Sequence, residues 1–278
     1  MAEMSDNFRC LRAARGSLRD PLAWASPHSL PSLRLHWQTR AVVNVGAPWS
    51  LAEMKQNIME NEERKKEKVY IIESPSSNDL LYEKLEGNAL KNALFLAGIE
   101  IEYYLATDED TFIQAFDNIE SDIVERSKNA IFSNPFIHIS AHGNKEGIGL
   151  TNREFISWVE LEHQLNKINE NPVLQCEDDE IGFFSSITLC LSTCLGLYAE
   201  KLVSDDKPSP FAVLIASNEK VSWADSLTGF ITFYHHMIFH DEGGQDAVEA
   251  MKTAARNNSF DFVFGKEMKA LVDKKRSK

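Results

Sequence analysis

The sequence has few cysteines, no long apolar run and a deficit of positive charge. Its four cysteines form no paired framework and no CxxC pair, which fits a reducing compartment, the cytoplasm, better than a secreted scaffold. No apolar stretch approaches the roughly 18 residues that a membrane span needs. The net charge of -13 argues against duplex nucleic acid or an anionic membrane as the main partner.

The first 54 residues differ in composition from the rest of the 278-residue chain. They contain six arginines and no lysine, whereas the remainder contains eighteen lysines and five arginines. A transit peptide is one explanation, and upstream sequence translated from an early start, before Met54 or Met59, is the other. Either way, we expect residues 1–54 to be disordered or poorly packed. We expect residues 55–67 to be a charged lead-in, 68–265 the one organised domain and 266–278 a basic tail.

Strand-like and helix-like patterns alternate within residues 68–265. The strand-like runs are apolar and rich in β-branched residues, at 69–73, 99–105, 136–143, 187–196, 211–216 and 260–264. The helical patterns lie between and after them, at 89–96, 107–123, 157–165, 195–202, 224–239 and 246–256. This alternation predicts an α/β fold with a mostly parallel sheet flanked by helices on both faces.

Two of the apolar runs end in side chains that can carry out chemistry. One ends in Ala141-His142-Gly143, and the other ends in Thr193-Cys194-Leu195-Gly196. The carboxyl ends of parallel strands are where open α/β sheets place their sites. A thiol beside an imidazole is a nucleophile and base pair, so we expect Cys194 and His142 to form a catalytic dyad.

Backbone groups beside these two side chains could stabilise an oxyanion. Gly143 has no side chain, so its N–H could approach a substrate carbonyl closely. The N–H of Cys194 is expected near the start of the next helix, where unpaired donors and the positive end of the dipole lie. That dipole would also lower the pKa of the thiol.

Three other interpretations of the same residues remain open. Cys194 could be a small buried hydrophobe, as we expect for Cys190, which sits inside its run. His138 precedes His142 by four positions and is expected to be a core residue or one that supports the site. A zinc site would need His138, His142, Cys190 and Cys194 to converge in a tetrahedron, which buried strand positions rarely do. We therefore expect neither a metal nor an organic cofactor.

The order of these motifs resembles the caspase-like cysteine peptidases of clan CD. The caspase signature is Ala-Cys-x-Gly with a histidine about 50 residues upstream. Here Cys194 and Gly196 keep two of its positions, and Cys194 follows His142 by 52 positions. The stretch 140–143 looks most similar to the CHAT branch, which is related to separase. The resemblance implies a three-layer caspase-like sandwich over 68–265, with His142 as base, Cys194 as nucleophile and Gly143 and Cys194 as the oxyanion hole.

The sequence departs from the caspase pattern in the residues expected to set specificity. The Gln-Ala-Cys context is absent, and no arginine follows the first, fourth or fifth strand to bind an aspartate side chain. Acidic residues are present instead, at Glu73, Asp79, Glu219 and Asp225. Because CHAT-like and separase-like relatives favour a basic residue before the scissile bond, Asp225 is a candidate counter-charge. It could equally cap the helix at 224–239.

These observations lead to one main hypothesis and two alternatives. The main hypothesis is a cysteine endopeptidase that cleaves protein or peptide substrates through a thioester acyl-enzyme, with a regulatory protein partner in the cell. The first alternative is a catalytically silent caspase-like module that binds a protein partner. The second, another acyl-transfer enzyme, is disfavoured because no Gly-x-Ser-x-Gly elbow is present.

Overall fold

The computed structural model describes residues 67–128, 134–178, 182–204, 206–240 and 244–276. The arginine-rich segment 1–54 and all but the last residue of the charged lead-in lie outside these ranges, as do the expectations made for them. Among the described residues, no helix combines the length and the apolar character that crossing a membrane requires.

Ten strands and seven α-helices are formed by the described residues. The strands are β1 (Lys68–Ser74), β2 (Glu100–Leu105), β3 (Phe136–Asn144), β4 (Gly147–Gly149), β5 (Phe155–Ser157), β6 (Gln175–Asp178), β7 (Gly182–Ser185), β8 (Thr188–Ser192), β9 (Val213–Ser217) and β10 (Phe260–Phe264). The helices are α1 (Ser77–Leu81), α2 (Glu86–Leu96), α3 (Glu109–Lys128), α4 (Trp158–Asn169), α5 (Trp223–Phe239), α6 (Gly244–Ala255) and α7 (Lys266–Arg276).

The central sheet has the strand order β10-β9-β8-β3-β1-β2. The pairs β9–β8, β8–β3, β3–β1 and β1–β2 are parallel, and β10 pairs with β9 in the antiparallel direction. The short strands β4 and β5 extend the end of β3, while β6 and β7 form a separate antiparallel pair. The predicted α/β class with a mostly parallel sheet is therefore confirmed.

Helices cover both faces of the sheet because the central strands are buried on both sides. All seven residues of β1 and all five of β8 are buried. Ile137, Ile139 and Leu189 pack on the face covered by α3 and α4. Phe136 and Cys190 point to the opposite face, where they pack with residues of α2, α5 and α6. The result is the three-layer arrangement that the alternating pattern predicts.

The six predicted strands are present, and local capping sequences mark several helix starts. Ser157 and Glu160 form a capping box at the start of α4, with both reciprocal hydrogen bonds made. At the start of α3, the side chain of Asp108 accepts the backbone N–H of Thr111 at 2.8 Å. The element predicted over 195–202 is a 3₁₀ helix, Gly196–Leu202, and β8 ends two residues before Cys194.

Residues 266–276 of the predicted basic tail form α7, a helix packed on the domain. Met268, Leu271 and Val272 are each at most 7% exposed. Their spacing of three and four residues places them on one helical face, whereas Lys269 is exposed. Residues 266–276 therefore form a helix that helps to close the core.

Candidate active site

His142 and the Cys194 segment lie side by side at the carboxyl ends of two neighbouring parallel strands. The β3–β8 register pairs Ser140 with Ser192, so the carboxyl ends of both strands lie at the same edge of the sheet. A methyl group built on Gly143 would lie 2.9 Å from the carbonyl oxygen of Cys194 and 3.0 Å from Cβ of Thr193. Glycine at position 143 thus lets the two segments approach each other at this edge.

The His142 imidazole is bound to the carboxylate of Asp79, which the sequence did not identify as its partner. The distance from Nε2 of His142 to Oδ2 of Asp79 is 2.6 Å. The histidine side chain is 51% exposed and the aspartate side chain is 11% exposed. Asp79 lies on the five-residue helix α1, directly after β1, at the same sheet edge as His142. The ring of Trp223 packs at an angle on the imidazole, with centroids 5.1 Å apart.

Hydrogen bonds hold Asp79 in place and in its charged form. Ser76 caps α1, since its Oγ accepts the N–H of Asp79 and donates to Oδ2 of the same residue at 2.5 Å. Burial alone would raise the pKa of Asp79, but the hydrogen bonds from Ser76 and His142 outweigh it and lower that pKa. Asp79 is therefore an anion at neutral pH and can orient the imidazole.

The thiol of Cys194 is half-buried, and its hydrogen bond goes to the segment that follows β9. Sγ donates to the carbonyl oxygen of Val221 at 3.7 Å. The next residue, Leu195, has a left-handed backbone (φ 59°), and its N–H donates to the carbonyl of Glu219 at 2.9 Å. Across the described ranges, no hydrogen bond joins Cys194 to His142. Proton transfer between them requires a change in at least one of these contacts.

The N–H groups of Gly143 and Cys194 are the predicted oxyanion donors, and the secondary structure around them differs from the one that the sequence predicts. Gly143 pairs with Ile148 in the antiparallel β3–β4 ladder. The element after Cys194 is a seven-residue 3₁₀ helix that begins at Gly196, not an α-helix. The α-helix whose dipole was expected to act on the Cys194 thiol is therefore not formed at this position.

His138 and Cys190 are core residues beneath the site. His138 is fully buried, with Nδ1 3.2 Å from the hydroxyl of Tyr234 and its ring edge-on to Phe230. Burial raises the pKa of the Cys190 thiol to about 12, so it is a neutral thiol at physiological pH. Within the described part of the chain, no three His, Cys, Asp or Glu side chains are arranged to hold a metal ion.

The sequence led us to expect no paired cysteines, but the structure differs at one of the described cysteines. Cys190 and Cys194 are free thiols, but Cys176, on β6, is disulfide-bonded. Of the free thiols among the described residues, Cys194 is partly exposed and Cys190 is buried.

Asp225 lies in the first turn of α5 but is not its cap. Ser222 is the cap, and its Oγ accepts the N–H of Asp225 at 3.1 Å. The carboxylate of Asp225 is half-exposed and makes no hydrogen bond or ion pair with the described residues. Of the other candidate acids, Glu73 is buried and accepts the N–H groups of Gly87 and Asn88 and the hydroxyl of Tyr103. Glu73 therefore anchors α2 and is not available to a substrate.

Comparisons with known proteins give a limited similarity to solved structures. No family model matches the chain, and no curated protein matches it either. The complex of the pro- and mature domains of RgpB from Porphyromonas gingivalis has a TM-score of 0.42 at 15% identity and covers 74% of this chain. The Arg-specific cysteine proteinase gingipain R (RgpB) has a TM-score of 0.40 at 14% identity and also covers 74% of this chain. The matches cover 49% and 44% of those chains, so this chain spans about half their length.

Proposed function

We propose that the chain is a caspase-like cysteine peptidase with Cys194 as the nucleophile and His142 as its base. The observation that supports this most directly is the juxtaposition at one sheet edge of a partly exposed thiol, a half-exposed imidazole and a carboxylate bound to that imidazole. A thiol needs a neighbouring base for reaction at neutral pH, and the base is in turn oriented by a third group. The finer assignment to the CHAT branch stays a prediction from the sequence.

The proposed reaction proceeds through a thioester in two half-reactions. His142 takes the proton of Cys194, and the sulfur attacks the carbonyl carbon of the scissile peptide bond. The N–H groups of Gly143 and Cys194 donate to the resulting oxyanion. The C–N bond then breaks, and the leaving amine takes the proton from His142. In the second half, water attacks the thioester, His142 accepts the proton of the water, and the Cys194 thiol and a carboxylic acid are released.

Asp79 acts as a positioning residue in this scheme. A carboxylate on Nε2 favours the tautomer that carries its proton there, which leaves Nδ1 to accept a proton. Asp79 also stabilises the imidazolium that forms once the thiol has been deprotonated. It does so without protonation of its own, because its pKa is lowered.

A catalytically silent module that binds a protein partner is the second candidate. The hydrogen bonds favour this candidate. The Cys194 thiol donates to Val221 and the His142 imidazole is bound to Asp79, so the thiol and the imidazole are not bound to each other. For the peptidase, binding of a substrate would have to release the thiol from Val221. For the module, that contact would persist in the complex.

The proposed substrate is a protein or peptide with a basic residue before the scissile bond. The half-exposed carboxylate of Asp225 lies two residues after Trp223, whose ring contacts the His142 imidazole. It has no partner within the described residues and is therefore free to bind a cationic side chain. The net charge of -13 would also attract basic polypeptides.

The test is a cleavage profile of the purified full chain against a peptide library that varies the residue before the scissile bond. We expect thiol-dependent cleavage after Arg or Lys, abolished by Cys194→Ala and retained by Cys190→Ala, which removes the other free thiol among the described residues. A peptidyl electrophile should label Cys194 faster than Cys190. No cleavage, together with equal labelling of the two thiols, would favour the silent module.

A further inference from the structure

The imidazole of His142 has a second neighbour besides Asp79, the indole of Trp223. The centroids of the two rings are 5.1 Å apart, and their planes meet at 64°. Aromatic rings prefer such a tilted arrangement, at centroid separations of roughly 4.5–7 Å. The two neighbours come from different elements, because Asp79 lies on α1 and Trp223 is the first residue of α5.

A single hydrogen bond does not fix the orientation of an exposed imidazole. The His142 side chain is 51% exposed, and its Nε2 is bound to Asp79. With Nε2 alone held, the ring can still turn about the line of this hydrogen bond, and Nδ1 then points in different directions. A side chain packed on the ring from a second direction removes this freedom.

The segment that carries Trp223 also contacts the thiol. Two residues before it, the carbonyl oxygen of Val221 accepts the hydrogen bond of Cys194 Sγ, at 3.7 Å. Two residues of extended chain span at most about 7 Å. The contact to the thiol and the contact to the imidazole therefore come from neighbouring points of one segment.

Hydrogen bonds hold this segment in place at both of its ends. The Oγ of the buried Ser217 accepts the N–H of Glu219 and donates to the carbonyl of the same residue, both at 3.1 Å. That carbonyl also accepts the N–H of Leu195, at 2.9 Å. At the other end, the Oγ of Ser222 caps α5 by accepting the N–H of Asp225, at 3.1 Å. The indole is therefore attached to a backbone that is itself fixed.

We propose that Trp223 is a positioning residue, which restricts the His142 imidazole to one orientation. In this orientation Nδ1 is available to the Cys194 thiol once the thiol has left Val221. The proposal rests on the peptidase function proposed above. Because Trp223 acts through His142, its removal should slow the proton transfers and lower kcat, whereas a side chain that bound the substrate would act on KM.

The order of the imidazole can be measured without a substrate, from the ¹³C relaxation of its ring C–H bonds in the full chain. His142→Gln identifies the signals. The order parameter should be near about 0.85 in the wild type and below about 0.6 in Trp223→Ala. Trp223→Phe keeps an aromatic ring and should preserve the order. Phe239→Ala is the control, since it removes a 45% exposed aromatic side chain from the last residue of α5, and it should change nothing.

Steady-state kinetics separates positioning from substrate contact. The kcat of Trp223→Ala should fall at least about 10-fold, with KM changed less than about twofold, and Trp223→Phe should recover most of the rate. The proposal is overturned if the imidazole stays ordered in Trp223→Ala, if kcat is unchanged, or if the loss lies in KM. Absence of cleavage by the wild type would refute the peptidase alone, and the order of the ring would then decide whether Trp223 positions His142.

Discussion

Asp79 and His142 are 63 positions apart in the sequence, yet a 2.6 Å hydrogen bond joins their side chains. The sequence marked both residues as chemically interesting, His142 as a base and Asp79 as one of four acids near a pocket. It did not pair them, because the contact depends on how α1 turns back over the end of β3. The signal that could have found it is the Ser76-x-x-Asp79 capping sequence directly after the first strand, at the edge where parallel strands end.

At the residue scale, the orientation of His142 by Asp79 makes a prediction for Asp79→Asn. An amide cannot stabilise the imidazolium and does not enforce the same tautomer, so kcat/KM should fall by at least about 10-fold. Measurement of kcat and KM separately should place most of the loss in kcat, since Asp79 does not touch the substrate in the proposed scheme.

The matched control is Asp246→Asn, which removes an exposed carboxylate of α6 with the same change in charge. Asp246→Asn should retain the wild-type rate. If Asp79→Asn does so too, Asp79 has no part in positioning the histidine and the hydrogen bond is only structural.

At the scale of elements, an ion cluster ties β1 to α3 at the end of the sheet opposite the site. The buried ammonium of Lys68 lies 2.8 Å from Oδ2 of Asp122, which also accepts the hydroxyl of Tyr70 at 2.6 Å. Burial opposes the charge of Asp122, but the hydrogen bonds from Lys68 and Tyr70 outweigh it, so the pKa of this carboxyl is lowered. The charged carboxylate therefore stabilises the fold.

This pKa shift predicts how the stability of Asp122→Asn depends on pH. A group whose pKa is lower in the folded state contributes stability above its unfolded pKa, and the contribution is lost as the pH falls through the folded pKa. At pH 7 the variant should lose about 1–2 kcal/mol of unfolding free energy, allowing for partial solvent screening. Urea denaturation at decreasing pH should show the difference between variant and wild type shrinking below about pH 4. A difference that stays constant down to pH 2 would contradict this account.

Local sequence patterns predict some of these secondary-structure elements and miss others. The capping box at Ser157 and Glu160 predicts the start of α4 because both hydrogen bonds are local. The three-residue strands β4 and β5 have no pattern of their own, and they exist because β4 pairs with the end of β3. Gly147 is needed there, since a side chain at this position would overlap the backbone of Ile156.

At the scale of the whole molecule, the domain extends past residue 265, and α7 helps to close its core. Leu271 is 4% exposed and belongs to the same core as residues of α5 and α6. Leu271→Ala should lower the unfolding free energy by about 2–4 kcal/mol, the cost of removing buried methyl groups and leaving a cavity. Denaturant unfolding followed by circular dichroism measures this directly.

The control for this prediction is Lys269→Ala, an exposed position of α7 two residues away. It should change the stability by less than about 0.5 kcal/mol, as surface substitutions usually do. Equal and small effects of the two substitutions would mean that α7 is a dispensable tail, as the sequence suggested.

The sequence by itself determined the alternation of strands and helices, the parallel character of the sheet and the edge at which chemistry could occur. These features follow from the periodicity and capping of short segments, which are local properties of the chain. Only the tertiary structure decided that Asp79 binds His142, that Val221 accepts the hydrogen bond of the Cys194 thiol and that 266–276 packs as a helix. Each of these depends on how segments distant in the chain pack together, and no local pattern encodes that geometry.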